Sequence, residues 1–176
     1  MPQKLKDMTG GVIVDTNILQ YGVSRSLKLE VEDLLNQVRM HRPNLRISSF
    51  TKFEVYRGLN KPKIEPTRKL VRSFKPISVD DDTFRIAAVL YSCYQNHTAT
   101  KSKNKQADDG DIVIAATAIR HNTPILTANG NDFPRPFFQE CSPRLTLTKP
   151  DKGEIVVQLL APDIRVFNMA MREYLL

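Results

Sequence analysis

The stretch Asp109-Gly110-Asp111-Ile112-Val113-Ile114-Ala115-Ala116-Thr117-Ala118 constrains the fold of this chain more than any other. After the second carboxylate the run is apolar on every side, so as a helix it cannot lie on a surface and must sit deep in a core. The acidic residues then fall at its first turn, where the partial positive charge of a helix start helps hold them ionised. The stretch is either a well-capped core helix or one wall of a polar site at the edge of that core. The remainder of the chain decides between the two.

Around it the sequence alternates short apolar runs with amphipathic ones. Val12-Ile13-Val14, bounded by Gly10-Gly11 and Asp15-Thr16-Asn17, predicts a buried strand ending in a turn. Leu27, Val31, Leu34, Leu35 and Val38 have helical spacing over 27–39. Leu45-Arg46-Ile47-Ser48 predicts a second strand, and Thr51 with Glu54 fits a capping box opening a helix to about Leu59. A helix over 64–74 closes at Lys75-Pro76, and Ile77-Ser78-Val79 predicts a third strand. Asp80-Asp81-Asp82 supplies caps for a long helix with Phe84, Ala87, Ala88, Leu90, Tyr91 and Tyr94 forming much of its face. From Asn96 to Asp108 the chain is polar and unpatterned, which predicts a mobile loop.

After the helix from Asp111 to about His121, Ile125-Leu126-Thr127 predicts a strand and Ala128 to Phe133 a turn. Glu154 to Leu160 reads as a fifth strand and Val166 to Leu176 as a final helix. Helices between strands argue for an α/β three-layer sandwich with a mainly parallel central sheet. In such sheets ligands collect beyond the C-terminal strand ends. Asp15 and Asp132 follow strands, while Glu54 and Asp111 open helices, so one edge could contain all four.

With 176 residues, 41% of them hydrophobic, the expected organisation is one globular domain over 1–176, its motif-bearing core about 12–133 and a C-terminal extension about 134–176. The absence of a signal-like or membrane-length apolar run predicts a soluble, cytoplasmic protein with no membrane partner. Cys93 and Cys141 are too few and too far apart for a disulfide scaffold or a metal site. The net charge of +7 and pI near 9.5 favour a polyanionic partner, and nucleic acid is the commonest. The charge is concentrated in Lys61, Lys63, Arg68, Lys69, Arg72 and Lys75, against Glu65 alone, and again in Lys101, Lys103 and Lys105. A solvated helix face is the plainer account of the first cluster.

Each carboxylate also has a plain account. Asp15 could cap the next helix, Glu54 complete a capping box, Asp111 complement a helix start and Asp132 form an Asx turn. Caps need no common location, however, and these four can converge. Two carboxylates about 4 Å apart repel by roughly 4 kcal/mol at the effective dielectric of a protein surface, so a cluster needs protons or a cation. Oxygen donors without paired His or Cys point to Mg²⁺ or Mn²⁺ rather than zinc. His41, His97 and His121 have no triad or metal spacing.

Together Val12-Ile13-Val14-Asp15-Thr16-Asn17, Phe53-Glu54-Val55-Tyr56-Arg57-Gly58, Asp111 to Ala118, Leu126-Thr127-Ala128-Asn129 and Asn131-Asp132-Phe133 resemble the PIN domains, most closely the VapC-like toxin ribonucleases. The resemblance implies a parallel sheet with helices on both sides and a metal-dependent endoribonuclease. It matches Asp15, Glu54 and Asp111 to the family's invariant acidic positions and Asp132 to a more variable fourth, with Thr127 or Asn129 assisting. It further implies Mg²⁺ or Mn²⁺ on these carboxylates, an RNA substrate, an antitoxin protein as a possible partner and a homodimer.

Under this reading Lys61, Lys63, Arg68, Lys69, Arg72, Lys101, Lys103 and Lys105 bind flanking phosphates. Asp108 and Asp109 have a capping or supporting role. Tyr56, Tyr91 and Phe133 could stack on bases, although Tyr91 fits a core face and Phe133 a packing position behind Asp132. The loop before Asp111 and the proline-containing segment after Phe133 depart from the family pattern. Alternatives are a catalytically silent PIN-like RNA-binding module and a housekeeping RNA-processing nuclease. A haloacid-dehalogenase-type phosphatase is disfavoured by Asn17, where that family needs a second Asp.

Overall fold

In the strand Gly11–Val14 (β1) every residue is buried, and strand alternation sends Val12 and Val14 into one core and Ile13 into another. A strand covered on both faces belongs in the middle layer of a sandwich. The computed structural model describes residues 11–57, 59–96, 108–149 and 153–174. Asn44–Ser48 (β2) runs parallel to β1, Lys75–Ile77 (β3) runs parallel beyond it, and Ile125–Thr127 (β4) runs parallel on the other side of β1. Phe138–Glu140 (β5) and Leu145–Lys149 (β6) each pair antiparallel with Gly153–Pro162 (β7), which itself runs antiparallel to β4. The order across the sheet is β3-β2-β1-β4-β7-β5, with β6 also on β7. The motif-bearing half is thus parallel, and the C-terminal strands extend it in the opposite sense.

Helices Thr16–Gly22 (α1), Lys28–His41 (α2), Ser49–Arg57 (α3), Ile64–Arg72 (α4), Asp81–Asn96 (α5), Asp109–Arg120 (α6) and Ile164–Tyr174 (α7) complete the layers. α5, α6 and α7 pack on the Ile13 side, whereas α1, α2, α4 and the strand β6 pack on the Val12 and Val14 side. α3 lies across the boundary, with Phe50 against the first core and Val55 in the second. As its composition requires, α6 is buried continuously from Ile112 to Ile119. Its first turn is therefore fixed at the edge of the core.

Several local expectations need correction. α3 begins at Ser49, so Thr51 lies inside the helix rather than at its cap, and Ser49 Oγ instead accepts a hydrogen bond from Val79 N at 3.0 Å. The third strand includes Lys75 and Pro76, because β3 is an edge strand and an edge position tolerates a missing N–H. Phe84 and Tyr91 are exposed on α5, whose core face is Thr83, Ala87, Val89, Leu90 and Cys93. Strands β5 and β6 lie in the proline-containing segment, where no strand was expected although Leu145-Thr146-Leu147-Thr148 alternates as a half-buried strand does. The expected loop falls largely outside the described residues, and His97, Lys101, Lys103 and Lys105 lie wholly outside them. Among the described residues no helix is long and apolar enough to cross a membrane.

Candidate active site

β1 ends at Val14 beside Leu126 of β4, so the residues that follow these strands emerge next to each other. Asp15 caps α1, its Oδ1 accepting from Thr16 N at 2.6 Å. Its Oδ2 accepts from Thr127 Oγ1 and from Asn17 Nδ2, both at 2.6 Å. Asn17 Nδ2 also donates to Thr127 Oγ1 at 3.2 Å, and Asn17 Oδ1 accepts from Ala128 N at 3.1 Å. Thr127 Oγ1 in turn accepts from Asn129 N at 2.9 Å. This web fixes the Asp15 carboxylate between the two strand ends.

The other carboxylates come from different layers. Glu54 on α3 accepts from Thr16 Oγ1 at 2.6 Å, which ties it to the residue after Asp15. Asp111 lies in the first turn of α6, and Asp132 accepts from Asn129 Nδ2. Asp132 lies in the short turn Gly130–Asp132, with Phe133 buried behind it edge-on to Phe138 at 5.6 Å. Asp108 caps α6 by accepting from Gly110 N at 2.9 Å, so the cap and the candidate site residue are separate carboxylates.

Electrostatics link the four. Burial pushes the Asp15 carboxyl up to about 6, with the charge of Glu54 adding to the rise and the bonds from Thr127, Thr16 and Asn17 opposing it. Burial likewise raises Glu54, where Asp108 adds to the rise and Thr16 and Arg57 resist it. Asp111 is pushed up to about 8, first by burial and then by Asp132 and Asp15. The buried Tyr94 phenol feels the same field, its pKa raised by burial and by Asp111 and Asp132. A region where burial and a neighbouring carboxylate's charge hold carboxyls above their ordinary range is one that binds protons or cations.

The basic residues are arranged elsewhere. Lys61 and Lys63 lie in the turn Lys61–Lys63, and Arg68, Lys69 and Arg72 project from the exposed side of α4. Arg68 is paired with Glu65 at 2.5 Å. Arg68 and Arg72 border a cavity of about 690 Å³ that Lys52, Tyr56, Leu59 and Phe74 also line. His121 responds to Arg46 and Arg120, which together with burial lower its pKa, rather than to the carboxylates.

The model of the PIN domain family matches residues 12–137, a span that contains all four carboxylates. This chain belongs to the PIN domain family. Ribonuclease VapC1 of Methanocaldococcus jannaschii is 26% identical to this PIN domain over 136 residues, covering 77% of the chain and 88% of that protein. A toxin-antitoxin complex from Klebsiella pneumoniae contains a similar fold, with TM-score 0.54, 26% identity and coverage of 71% of this chain and 92% of that one. VapBC2 from Rickettsia felis, bound to a DNA fragment from its promoter, gives TM-score 0.54 at 21% identity, covering 70% and 90%.

Thr16 and Asn17 are the site residues that sequence reasoning assigned no role. Their signal was the unbroken Asp-Thr-Asn run itself, since three hydrogen-bonding side chains after a buried strand rarely serve only a turn. Among the described residues no three His, Cys, Asp or Glu side chains are gathered tightly enough to cage an ion unaided. The donor set nonetheless fits a hard divalent cation. It offers carboxylate oxygens in a field that already favours positive charge.

Proposed function

We propose that this PIN domain is a metal-dependent endoribonuclease of the VapC type, hydrolysing RNA phosphodiester bonds at the Asp15, Glu54, Asp111 and Asp132 cluster. The observation that carries the reading is the elevation of Asp111 by burial and by the charges of Asp132 and Asp15, carboxylates that separate elements contribute. Such a cluster is costly unless a cation offsets its charge. Asp15, Asp111 and Asp132, with Glu54, are the residues that would hold Mg²⁺ or Mn²⁺. Bound there, such an ion supplies Lewis acidity toward the scissile phosphate and the attacking water.

The chain's own residues set the geometry. Thr127 and Asn17 lock Asp15, Thr16 fixes Glu54, and Asn129 steadies Asp132. Side chains held this way need little reorganisation during reaction, which is the basis of electrostatic preorganisation. Lys61, Lys63, Arg68, Lys69 and Arg72 attract the flanking phosphates of RNA, and Lys101, Lys103 and Lys105 are assigned the same role. Water is the nucleophile, leaving a 5′-phosphate and a 3′-hydroxyl.

The toxin-antitoxin context of the similar structures supports an antitoxin protein as partner. A homodimer is part of the same reading. Phe84 and Tyr91, seven residues apart on the exposed side of α5, offer apolar surface for it. The test is incubation of mixed RNA and single-stranded DNA with Mg²⁺, Mn²⁺ or EDTA. Metal-dependent RNA cleavage with 5′-phosphate ends is expected, and absence of cleavage by the partner-free protein with either metal would overturn the reading.

A further inference from the structure

A second polar region lies at the opposite end of the sheet. Gly11 and Asn44, the first residues of β1 and β2, border a cavity of about 420 Å³ into which Arg39, Arg46 and Lys75 converge. Arg46 and Lys75 are register partners in the parallel pair β2 and β3, so neighbouring strands hold their cations side by side. Arg39 reaches the same cavity from the last turn of α2, its guanidinium over the Phe74 ring at 5.9 Å and donating to Asn36 Oδ1 at 3.2 Å.

Among the described residues no carboxylate lines the cavity and none of these three cations has an acidic partner within ion-pair distance. The neighbouring Arg120 is different, being paired with Asp80 and Asp82. Arg46 carries the sharper signal. Its Nε is buried without a hydrogen-bond acceptor, a deficit that natural structures seldom leave uncompensated. A Cβ on Gly11 would press first on the Asn44 carbonyl oxygen, at 3.1 Å, and would meet Arg46 Cδ at an ordinary contact distance of 3.5 Å. The positive field extends to His121, whose protonation Arg46 disfavours.

We infer that this cleft is a phosphate-binding site, separate from the carboxylate edge, in which Arg46 supplies the central donor and Arg39 and Lys75 complete the charge. Converging guanidinium and ammonium groups match an oxyanion with several acceptor oxygens, and Arg presents its donors in a fork suited to phosphate. The same chemistry occurs in inorganic phosphate, in a free nucleotide and in an RNA backbone. The inference does not depend on whether the carboxylates cleave RNA.

Isothermal titration of the full chain with inorganic phosphate, against sodium chloride at matched ionic strength, tests it. Phosphate-specific binding is expected, weakened about tenfold or more in Arg46→Gln by loss of a charge-assisted hydrogen bond. Lys75→Gln should weaken it less, and Lys28→Gln, outside the cleft, should leave it unchanged. Arg46→Lys, which keeps the charge without the fork, gives an intermediate affinity and serves as the reporter should the Gln variant fold poorly. Phosphate and chloride acting alike on the wild type, or all Arg46 variants matching it, would overturn the site.

Binding of a single-stranded RNA then distinguishes the sources. If Arg46→Gln weakens both RNA and phosphate, the occupant is a backbone phosphate. If it weakens phosphate alone, the occupant is a free phosphate or nucleotide.

Discussion

Gly110 and Glu54 are in such close apposition that a Cβ on residue 110 would overlap Glu54 Oε1. The glycine in the first turn of α6 is what allows a carboxylate on α3 to approach that turn. Gly110→Ala should therefore expel the flexible Glu54 head while the buried body of α6 stays in place. Alanine favours a helix interior over glycine by about 1 kcal/mol, which offsets part of the clash with Glu54 and with Phe50. The expected outcome is a fall in RNA cleavage of about a hundredfold, as for small misplacements in other active sites, with little change in melting temperature. A joint measurement of rate and thermal stability checks it.

Thr127 donates to Asp15 and accepts from Asn129 and Asn17, so one hydroxyl joins two strand ends. Thr127→Val preserves shape but leaves those buried partners short of a bond, at a cost of about 1–3 kcal/mol in chemical denaturation. It also removes the largest influence lowering the Asp15 pKa. The acidic limb of the cleavage pH profile should consequently move to higher pH.

The raised carboxyls set the direction of pH-dependent stability. Asp15 at about 6 and Asp111 at about 8 both lie above their ordinary value of 3.8. The folded chain thus binds more protons than the unfolded chain across this window. The stabilisation from the neutral forms is fully present below about pH 4 and lost as pH rises through about 6 and 8. In EDTA, melting temperature should fall more steeply for wild type than for Asp111→Asn between about pH 5 and about pH 9, and Mg²⁺ should reduce the difference. Parallel melting curves for the two proteins in EDTA would contradict this.

RNA affinity should depend on salt through the cations of α4, though not equally. Lys69→Gln and Arg72→Gln should each lower the slope of log affinity against log salt by about one. Arg68 is already paired with Glu65, so Arg68→Gln should change the slope less. Filter binding across a salt series measures all three.

The parallel half of the fold was legible because burial on two faces leaves little choice of residue. Val12-Ile13-Val14 and the helix from Ile112 to Ile119 announce themselves by apolar content alone. Asp15 and Asp132 follow buried strands and Asp111 opens a buried helix, as the sequence pattern predicts, whereas Glu54 lies inside α3 rather than opening it. Less visible were features decided by tertiary partners. Glu54 fits a capping box with Thr51 by spacing, yet its hydrogen bond goes to Thr16, 38 positions away. Phe84 and Tyr91 have the spacing of a core face, but α5 turns Ala87, Leu90 and Cys93 inward instead. Strand β5 owes its place to pairing with β7, whereas β6 carries an alternating run of its own, Leu145-Thr146-Leu147-Thr148, among the prolines.

Under the proposed function the carboxylates Asp15, Glu54, Asp111 and Asp132, rather than the basic surface, carry the chemistry. The most direct measurement is the single-turnover cleavage rate of wild type, Asp15→Asn and Asp111→Asn on one RNA in Mg²⁺, with RNA affinity determined in parallel. The account predicts that both substitutions reduce the rate by at least about a hundredfold while affinity remains within about threefold. Undiminished cleavage by either variant, or equal cleavage in EDTA, would contradict it.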